Sequence, residues 1–498
     1  MSILLIGVTV KYYLQIHSKN YLTERGKWMK NRISPEAKEE SRQFNKTLFS
    51  MVFPIAFQSF MASAVNASDA VMLGFQEQSS LSAVSLAGQI TFVVNLFVII
   101  LTQGTTLLAA QYWGKGDRKA VEMILGLAMK CAVGITAVFF IGAAFFAAQL
   151  MRIFTTDPIL ISKGAEYLRI VGISYVLNGI TQMYLCIMRN SGKTTKSTVI
   201  GSSAMVLNII LNAVFIFGAF GIPAMGIQGA ALATVLALFL QTVWIIVESR
   251  KHDSLKVRLS YLVRIDSVLQ KDFIKYTLPI VGNYMFWGCG VTMYSVIMGH
   301  LGDDAVAANS IAGIVRNLIT CMIAGIASAG GILVGNELGK NNIQTAIQSA
   351  KRVTILSFIF GIFSSILLLL LRPVVLNVSA LSETANSYLS GMLLICCYYI
   401  LAGAINRTVI GGIFCAGGKS KFGLICDAIV LWLIVIPLGF LAAFYWQLPV
   451  IAVYAVLCLD EIIKVPIVYL YYRKYTWAQN ITRQTINQFP NDIPEKAG

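Results

Sequence analysis

The chain has 498 residues, of which 57% are hydrophobic and 12% charged, with a formal net charge of +16 and a mean hydropathy of +0.71. Soluble domains carry about twice that share of charge, so composition excludes a soluble globular protein and a disordered one, and leaves lipid as the solvent for most of the surface. The basic excess lies between long apolar stretches, which assigns it to cytoplasmic loops and not to nucleic acid.

Residues 1–46 read as a cytoplasmic N-terminal segment. Their first apolar run is too short to span, no cleavage signal follows it, and Met29 offers an alternative start. A transmembrane helix needs about 20 mostly apolar residues. Such runs fall at 48–74, 81–110, 123–149, 165–190, 197–219, 226–248, 273–299, 306–335, 352–378, 386–413, 423–445 and 449–472. Twelve spans place both termini on one side. One set of loops carries Lys115, Arg118, Lys119, Arg189, Lys193, Lys196, Lys340, Lys351, Arg352, Lys419 and Lys421, whereas the other holds little beyond Arg152, Lys163 and Arg372. The positive-inside rule therefore makes both termini cytoplasmic, along with the basic segment 249–272 and the tail 474–498. The expected fold is an all-α integral membrane protein of twelve transmembrane helices in two parallel-repeat six-helix bundles, residues 47–248 and 273–473. It is expected to sit as a monomer in the plasma membrane.

The two halves repeat one another. A shift of 225 aligns 54–115 with 279–340 without a gap, with 11 of 62 positions identical. Pro54 meets Pro279, Gly74 meets Gly299, Gly88 meets Gly313, and Gly114-Lys115 meets Gly339-Lys340. Each half has six helices, so both start on the cytoplasmic side and the repeat axis lies along the membrane normal, a transporter's architecture.

Acids at membrane depth need a reason. Asp69 lies near the outer end of the first helix, on a polar stripe with Ser59, Ser63 and Asn66. Lipid would not accept that stripe, so it faces the bundle or a watered cavity. At about 1.5 Å per residue, Asp69 lies roughly 8 Å below the outer end, Asn212 on helix 5 roughly 10 Å and Thr234 on helix 6 roughly 12 Å. Asn208 shares the face of Asn212 one turn further in. These hard oxygen ligands suit a proton or a small alkali cation; taken singly, such Asn and Thr residues more often hydrogen-bond helix to helix.

The second half offers no counterpart to Asp69. Tyr294 takes its position, and Leu438 that of Asn212. Arg316 and Arg407 lie within spans, as candidates for pairing or anion contact. Asp460 and Lys464 read as an ion pair one helical turn apart, with Glu461 beside them. Phe57, Phe60, Met285 and Trp287 are candidates to line an apolar cavity. Gly412–Ser420 reads GIFCAGGKS, one residue too long for a phosphate-binding loop and with no strand before it. Without a nucleotide site, energy must come from an ion gradient. No cofactor is expected, the nine cysteines show no metal-ligand spacing, and no nucleophile–base or paired-acid constellation indicates an enzyme.

Four segments carry a family resemblance: PIAFQSFMASAVNASDAVMLG, QGTTLLAAQYWGKGD, LNIILNAVFIFGAFGIPAMGIQGAALAT and PIVGNYMFWGCGVTMYSVIMGHLG. Over residues 45–475 the chain resembles the multidrug and toxic-compound extrusion (MATE) family. The resemblance implies two six-helix bundles forming a V, and export of organic cations in exchange for protons or sodium. The family's helix-1 acid falls on Asp69 and its kinking proline on Pro54. Its helix-5 pattern of Asn, three residues, then Asp becomes Asn208 and Asn212, and its helix-6 Thr falls on Thr234. The helix-7 Glu of the sodium-coupled branch falls on Trp287.

The sequence therefore reads as a cation-coupled antiporter. Its partners are the bilayer and small amphiphilic organic substrates, expected to be cationic. The alternative is a flippase for a lipid-linked saccharide, which should carry more intramembrane arginine than Arg316 and Arg407 supply. Pro54 is the expected hinge of helix 1, and Trp287, Tyr294, Arg316 and Arg407 the expected cavity residues of the second half.

Overall fold

The computed structural model describes residues 35–74, 78–219, 221–252, 254–258, 260–261, 266–379 and 381–483. Among these residues the secondary structure is helical, in twelve units. The first half comprises α1 (Pro35–Gly74), α2 (Gln78–Gly114), α3 (Arg118–Phe145, extended by Ala147–Arg152), α4 (Pro158–Asn190), α5 (Thr194–Phe217) and α6 (Gly226–Ser249). The second comprises α7 (Ser267–His300), α8 (303–339), α9 (Ile343–Val378), α10 (Glu383–Phe414), α11 (Ser420–Tyr445) and α12 (450–473). Caps mark several starts: Asp117 accepts from Ala120 N, Asp157 accepts from Ile159 N ahead of Pro158, and Asp266 accepts from Val268 N and Leu269 N.

Ten of the helical stretches are long and apolar enough to cross a membrane, and α7 and α12 complete the twelve. The exceptions have a cause. α7 has its apolar stretch diluted by Asn283, Tyr284, Trp287 and Tyr294. α12 is interrupted after Leu457, and its second piece opens with Asp460 and Glu461.

Several helices start ahead of their apolar runs, and one is broken within its run. α1 starts at Pro35 and α7 at Ser267, each ahead of its run, because polar turns extend a helix without crossing lipid. α8 is broken at Thr320 between Ile319 and Cys321. There Thr320 Oγ1 donates to Arg316 O at 2.9 Å and Cys321 Sγ to Asn317 O at 3.3 Å, so side chains compete for the helix carbonyls. π-helical turns also occur, at Arg407–Phe414 in α10 and at Ala428–Val435 and Leu441–Tyr445 in α11. α1 runs through Pro54 unbroken.

The halves meet along α1, α2, α7 and α8. Leu48, Val52 and Ile55 pack with Ile326, Ala329 and Ile332. A Cβ on Gly325 would lie 2.8 Å from Val52 O, and one on Gly335 would lie 2.8 Å from Ala110 Cβ. Nearest the 115–117 and 340–342 turns, a Cβ on Gly114 would overlap Asn336 O and one on Gly339 would overlap Gln111 O. Repeat-related glycines thus let α2 and α8 touch backbone to backbone.

Residues 474–483 cross this joined end. Trp477 is fully buried, and its indole donates to Tyr472 O at 3.1 Å. Gln111 Nε2 donates to Ala416 O at 2.7 Å and Gln479 O at 3.0 Å, while Ile481 N donates back to Gln111 Oε1 at 2.8 Å. Arg483 donates to both oxygens of Asp272, at 2.6 and 2.7 Å. The tail therefore ties α2, α7 and the α10–α11 turn together.

Candidate functional site

α1, α5 and α6 bring the expected polar residues of the first half into one chain of contacts. Asn212 Nδ2 donates to Asp69 Oδ1 at 2.6 Å. The same amide reaches Asn208 Oδ1 at 3.5 Å, and Asn208 Nδ2 donates to Thr234 Oγ1 at 3.3 Å. Thr234 in turn donates to Ala230 O at 3.1 Å. The four-residue spacing of Asn208 and Asn212 on α5 puts both on the face toward α1 and α6.

Asn212 is 1% exposed, Asn208 is also buried, and Asp69 is half-buried. Among the described residues, no basic side chain pairs with Asp69, and Asn212 Oδ1 is buried without a partner. The carboxylate and the unused carbonyl oxygen of the amide that touches it are both acceptors, so the pair is suited to a positive charge. The side chain of Asn66 lies outside the described residues. Pro54 lines an apolar groove of about 740 Å³ between α1 and α5, with Phe53, Phe57, Val199, Val206 and Ile210.

The second half is less empty of acids than its repeat alignment suggests. Asn283 Nδ2 on α7 donates to Asp427 Oδ2 on α11 at 2.6 Å. The other oxygen of Asp427 lies 3.0 Å from Lys464 Nζ on α12. Lys464 also pairs with Asp460 at 3.3 Å and Glu461 at 3.4 Å, so the expected pair of Asp460 with Lys464 belongs to a larger cluster. Asn406 Nδ2 on α10 donates to Glu461 Oε2 at 2.7 Å. Asp427 and Asn283 escape a reading by apolar runs because each is a single polar residue in an otherwise apolar stretch, Asp427 toward the start of α11 and Asn283 at the middle of α7. Their one sequence signal is the shift of 226, which sets Asp427 opposite Gly201.

Three of the four expected cavity residues of the second half lie around the α12 cluster, and the fourth, Trp287, does not. The Tyr294 hydroxyl is buried without a partner among the described residues, next to the α12 cluster. Arg316 lies over the Tyr399 ring at 5.1 Å. Arg407 is exposed on the turn after Asn406. Trp287 stands apart, edge-on to Tyr284 with centroids 6.4 Å apart.

Known proteins match both the sequence and the fold. The probable multidrug resistance protein NorM of Thermotoga maritima is 24% identical over 454 residues, 91% of this chain and 97% of that protein. The multidrug resistance protein MdtK of Photorhabdus laumondii is 25% identical over 409 residues, 80% of this chain and 87% of that protein. A MOP-superfamily transporter from Pyrococcus furiosus superposes with a TM-score of 0.79 at 17% identity, covering 86% of this chain and 95% of that chain. A MATE transporter solved in a bent conformation gives the same score at 16% identity, covering 86% of this chain and 95% of that chain. The family model for MatE matches residues 54–214 and 279–441, one stretch in each half. Matched over more than half its length, the chain belongs to the MatE family of multi-pass membrane transporters.

Proposed function

We propose that the protein is a secondary antiporter of the plasma membrane, with both termini cytoplasmic, that exports amphiphilic cationic small molecules in exchange for protons or sodium. The observation that carries this reading is the 2.6 Å contact of Asn212 with an Asp69 that no basic side chain neutralises, among the described residues. The multidrug resistance proteins to which the chain is similar support the substrate class.

The chemistry follows from one carboxylate. As an anion, Asp69 accepts from the Asn212 amide and attracts a cationic substrate or sodium. A proton taken up from outside makes it neutral and removes that attraction, so the substrate leaves. The protonated acid then has a proton to donate, and turning the Asn212 amide over presents Oδ1, a buried acceptor without a partner among the described residues. The amide thus serves both charge states of the acid, and substrate and coupling ion compete for the same group.

The test is ion-driven dye efflux in inverted membrane vesicles. Asp69→Asn keeps size and hydrogen bonding but fixes the site as neutral. It is expected to insert normally and lose gradient-driven efflux. Efflux at the wild-type rate in this variant would overturn the assignment.

A further inference from the structure

The second half buries more charge than this function uses. Lys464, 3% exposed, touches Asp427, Asp460 and Glu461 at 3.0, 3.3 and 3.4 Å. Asp427 and Asp460 are themselves buried. Three carboxylates against one ammonium sum to −3 + 1 = −2.

The other elements packed around the cluster do not cancel this. α10 brings Arg407, which acts on Glu461 but is exposed, and the Tyr399 hydroxyl. α7 brings the Tyr294 hydroxyl, and the guanidinium of Arg316 on α8 lies over the Tyr399 ring. Even with Arg407 counted in full, one negative charge is left over, and Arg316 forms no ion pair with the three carboxylates among the described residues, its guanidinium lying over the Tyr399 ring. Uncompensated buried charge is strongly disfavoured, so the cluster needs a further positive charge.

The hydrogen-bond inventory points the same way. Asp460 Oδ1, Asn406 Oδ1 and Tyr294 Oη are buried with no partner among the described residues. Native interiors rarely leave such groups unmet. Asn406 has already committed its amide to Glu461, both to the backbone oxygen and to Oε2, at 2.7 Å each. The Tyr294 hydroxyl carries its own proton, whereas Asp460 Oδ1 and Asn406 Oδ1 are acceptors that no donor reaches among the described residues.

We propose that this cluster is a second proton-binding site, with Asp460 as the group that takes the proton and Lys464, bridging to Asp427, as the group that holds it in place. Uptake forms one O–H bond at Asp460 Oδ1 and brings the cluster from −2 to −1. No other bond changes. The new O–H supplies the missing donor, and loss of the proton to bulk restores the carboxylate. As a binding site it stands independently of transport. As a second coupling group, which would raise the charge exchanged per cycle beyond what Asp69 provides, it rests on the antiport reading above.

The experiment is a pH titration of purified full-length protein by difference infrared spectroscopy, from about pH 5 to 9, above the range of ordinary carboxylates. It reads the carbonyl stretch of protonated carboxylic acids. Asp69→Asn should retain a titrating band, and Asp69→Asn/Asp460→Asn should lose it. Asp69→Asn/Lys464→Gln should move its midpoint upward by at least about one pH unit, because the ammonium that favours the carboxylates is gone. No titrating band in Asp69→Asn, or a band unchanged by Asp460→Asn, would overturn the proposal. If Asp460→Asn does not fold, an unmoved midpoint with Lys464→Gln overturns it instead. Wild type against Asp69→Asn reports on Asp69 alone, so identical spectra there undo the Asp69 reading and leave this one standing.

Discussion

Asn283 donates to Asp427 at 2.6 Å, the same distance at which Asn212 donates to Asp69, but the acid and the amide have exchanged helices. In the first half the acid is on the first helix of the repeat and the amide on the fifth. In the second half the amide is on the first and the acid on the fifth. The positions are not equivalent either: Asn283 aligns with Gln58 and Asp427 with Gly201, and Gln58 packs over Gly201. The duplicated scaffold brings the same two helices together in each half, and each half places its acid–amide pair at a different level of that crossing.

Asn212 should matter to transport beyond its packing. Asn212→Leu removes the donor to Asp69 and the unused acceptor beside it. Hydrogen bonds to charged groups are worth about 1.5–3 kcal/mol, which corresponds to roughly a ten- to hundredfold change in rate. Initial dye efflux should fall by that order while expression stays near wild type. A rate within about twofold of wild type would remove Asn212 from the site.

The crossing of α2 and α8 should tolerate nothing larger than hydrogen. Gly339→Ala puts a methyl into Gln111 O, and a backbone atom cannot step aside. A cost of about 1–3 kcal/mol is expected, read as a lowered Tm in detergent. Gly116→Ala is the control. It has open space around it, and only its φ of +83° opposes the change, at about 1–2 kcal/mol. Equal or greater damage from Gly116→Ala, with Gly339→Ala silent, would contradict the packing.

The tail should be held by its tryptophan more than by its arginine. Trp477 is fully buried, and truncating a buried Trp to Ala costs about 3–5 kcal/mol. The Arg483 side chain is half exposed, so water screens its ion pair with Asp272 and the pair holds the tail less firmly. Limited proteolysis should therefore release residues after 473 far faster in Trp477→Ala than in Arg483→Ala. The reverse order would show that the tail is anchored by charge.

The turns at 115–117 and 340–342 should share a side with the segment 249–272. Single cysteines at Gly116 and Asn341 in a cysteine-free background should react with an impermeant maleimide only in inverted vesicles. Cysteines at Thr156 and Ser382 should react only in right-side-out cells. Labelling of Gly116 and Asn341 from opposite sides would break the parallel repeat.

The spans and the first-half site are legible in the sequence because each rests on a periodic signal. Apolar runs of about 20 residues mark most helices, and Asp69, Asn208, Asn212 and Thr234 match in depth at a fixed rise per residue. The rest depends on contacts with no periodicity. The break at Thr320 comes from two side chains bonding backward, which many unbroken helices tolerate. Asp427 sits next to Cys426 near the start of an apolar run and looks like a helix end until α7 and α12 are seen to converge on it. Trp477 follows the last apolar run, where a tryptophan suggests a membrane interface and not a buried plug.

The glycine contact between α2 and α8 also bears on how two rigid bundles can move. Where backbone meets backbone, no rotamer has to change as one surface slides over the other, so the resistance to sliding is small and uniform along the line of contact. Side chains meshed at the same place would hold the bundles in discrete notches, each with its own barrier. Gly114 and Gly339 instead form a smooth bearing. Tilting about it must still repack Leu48, Val52 and Ile55 against Ile326, Ala329 and Ile332 and stretch the bonds of the tail, and adding bulk at the glycines should alter how fast the bundles swing before it alters what they bind.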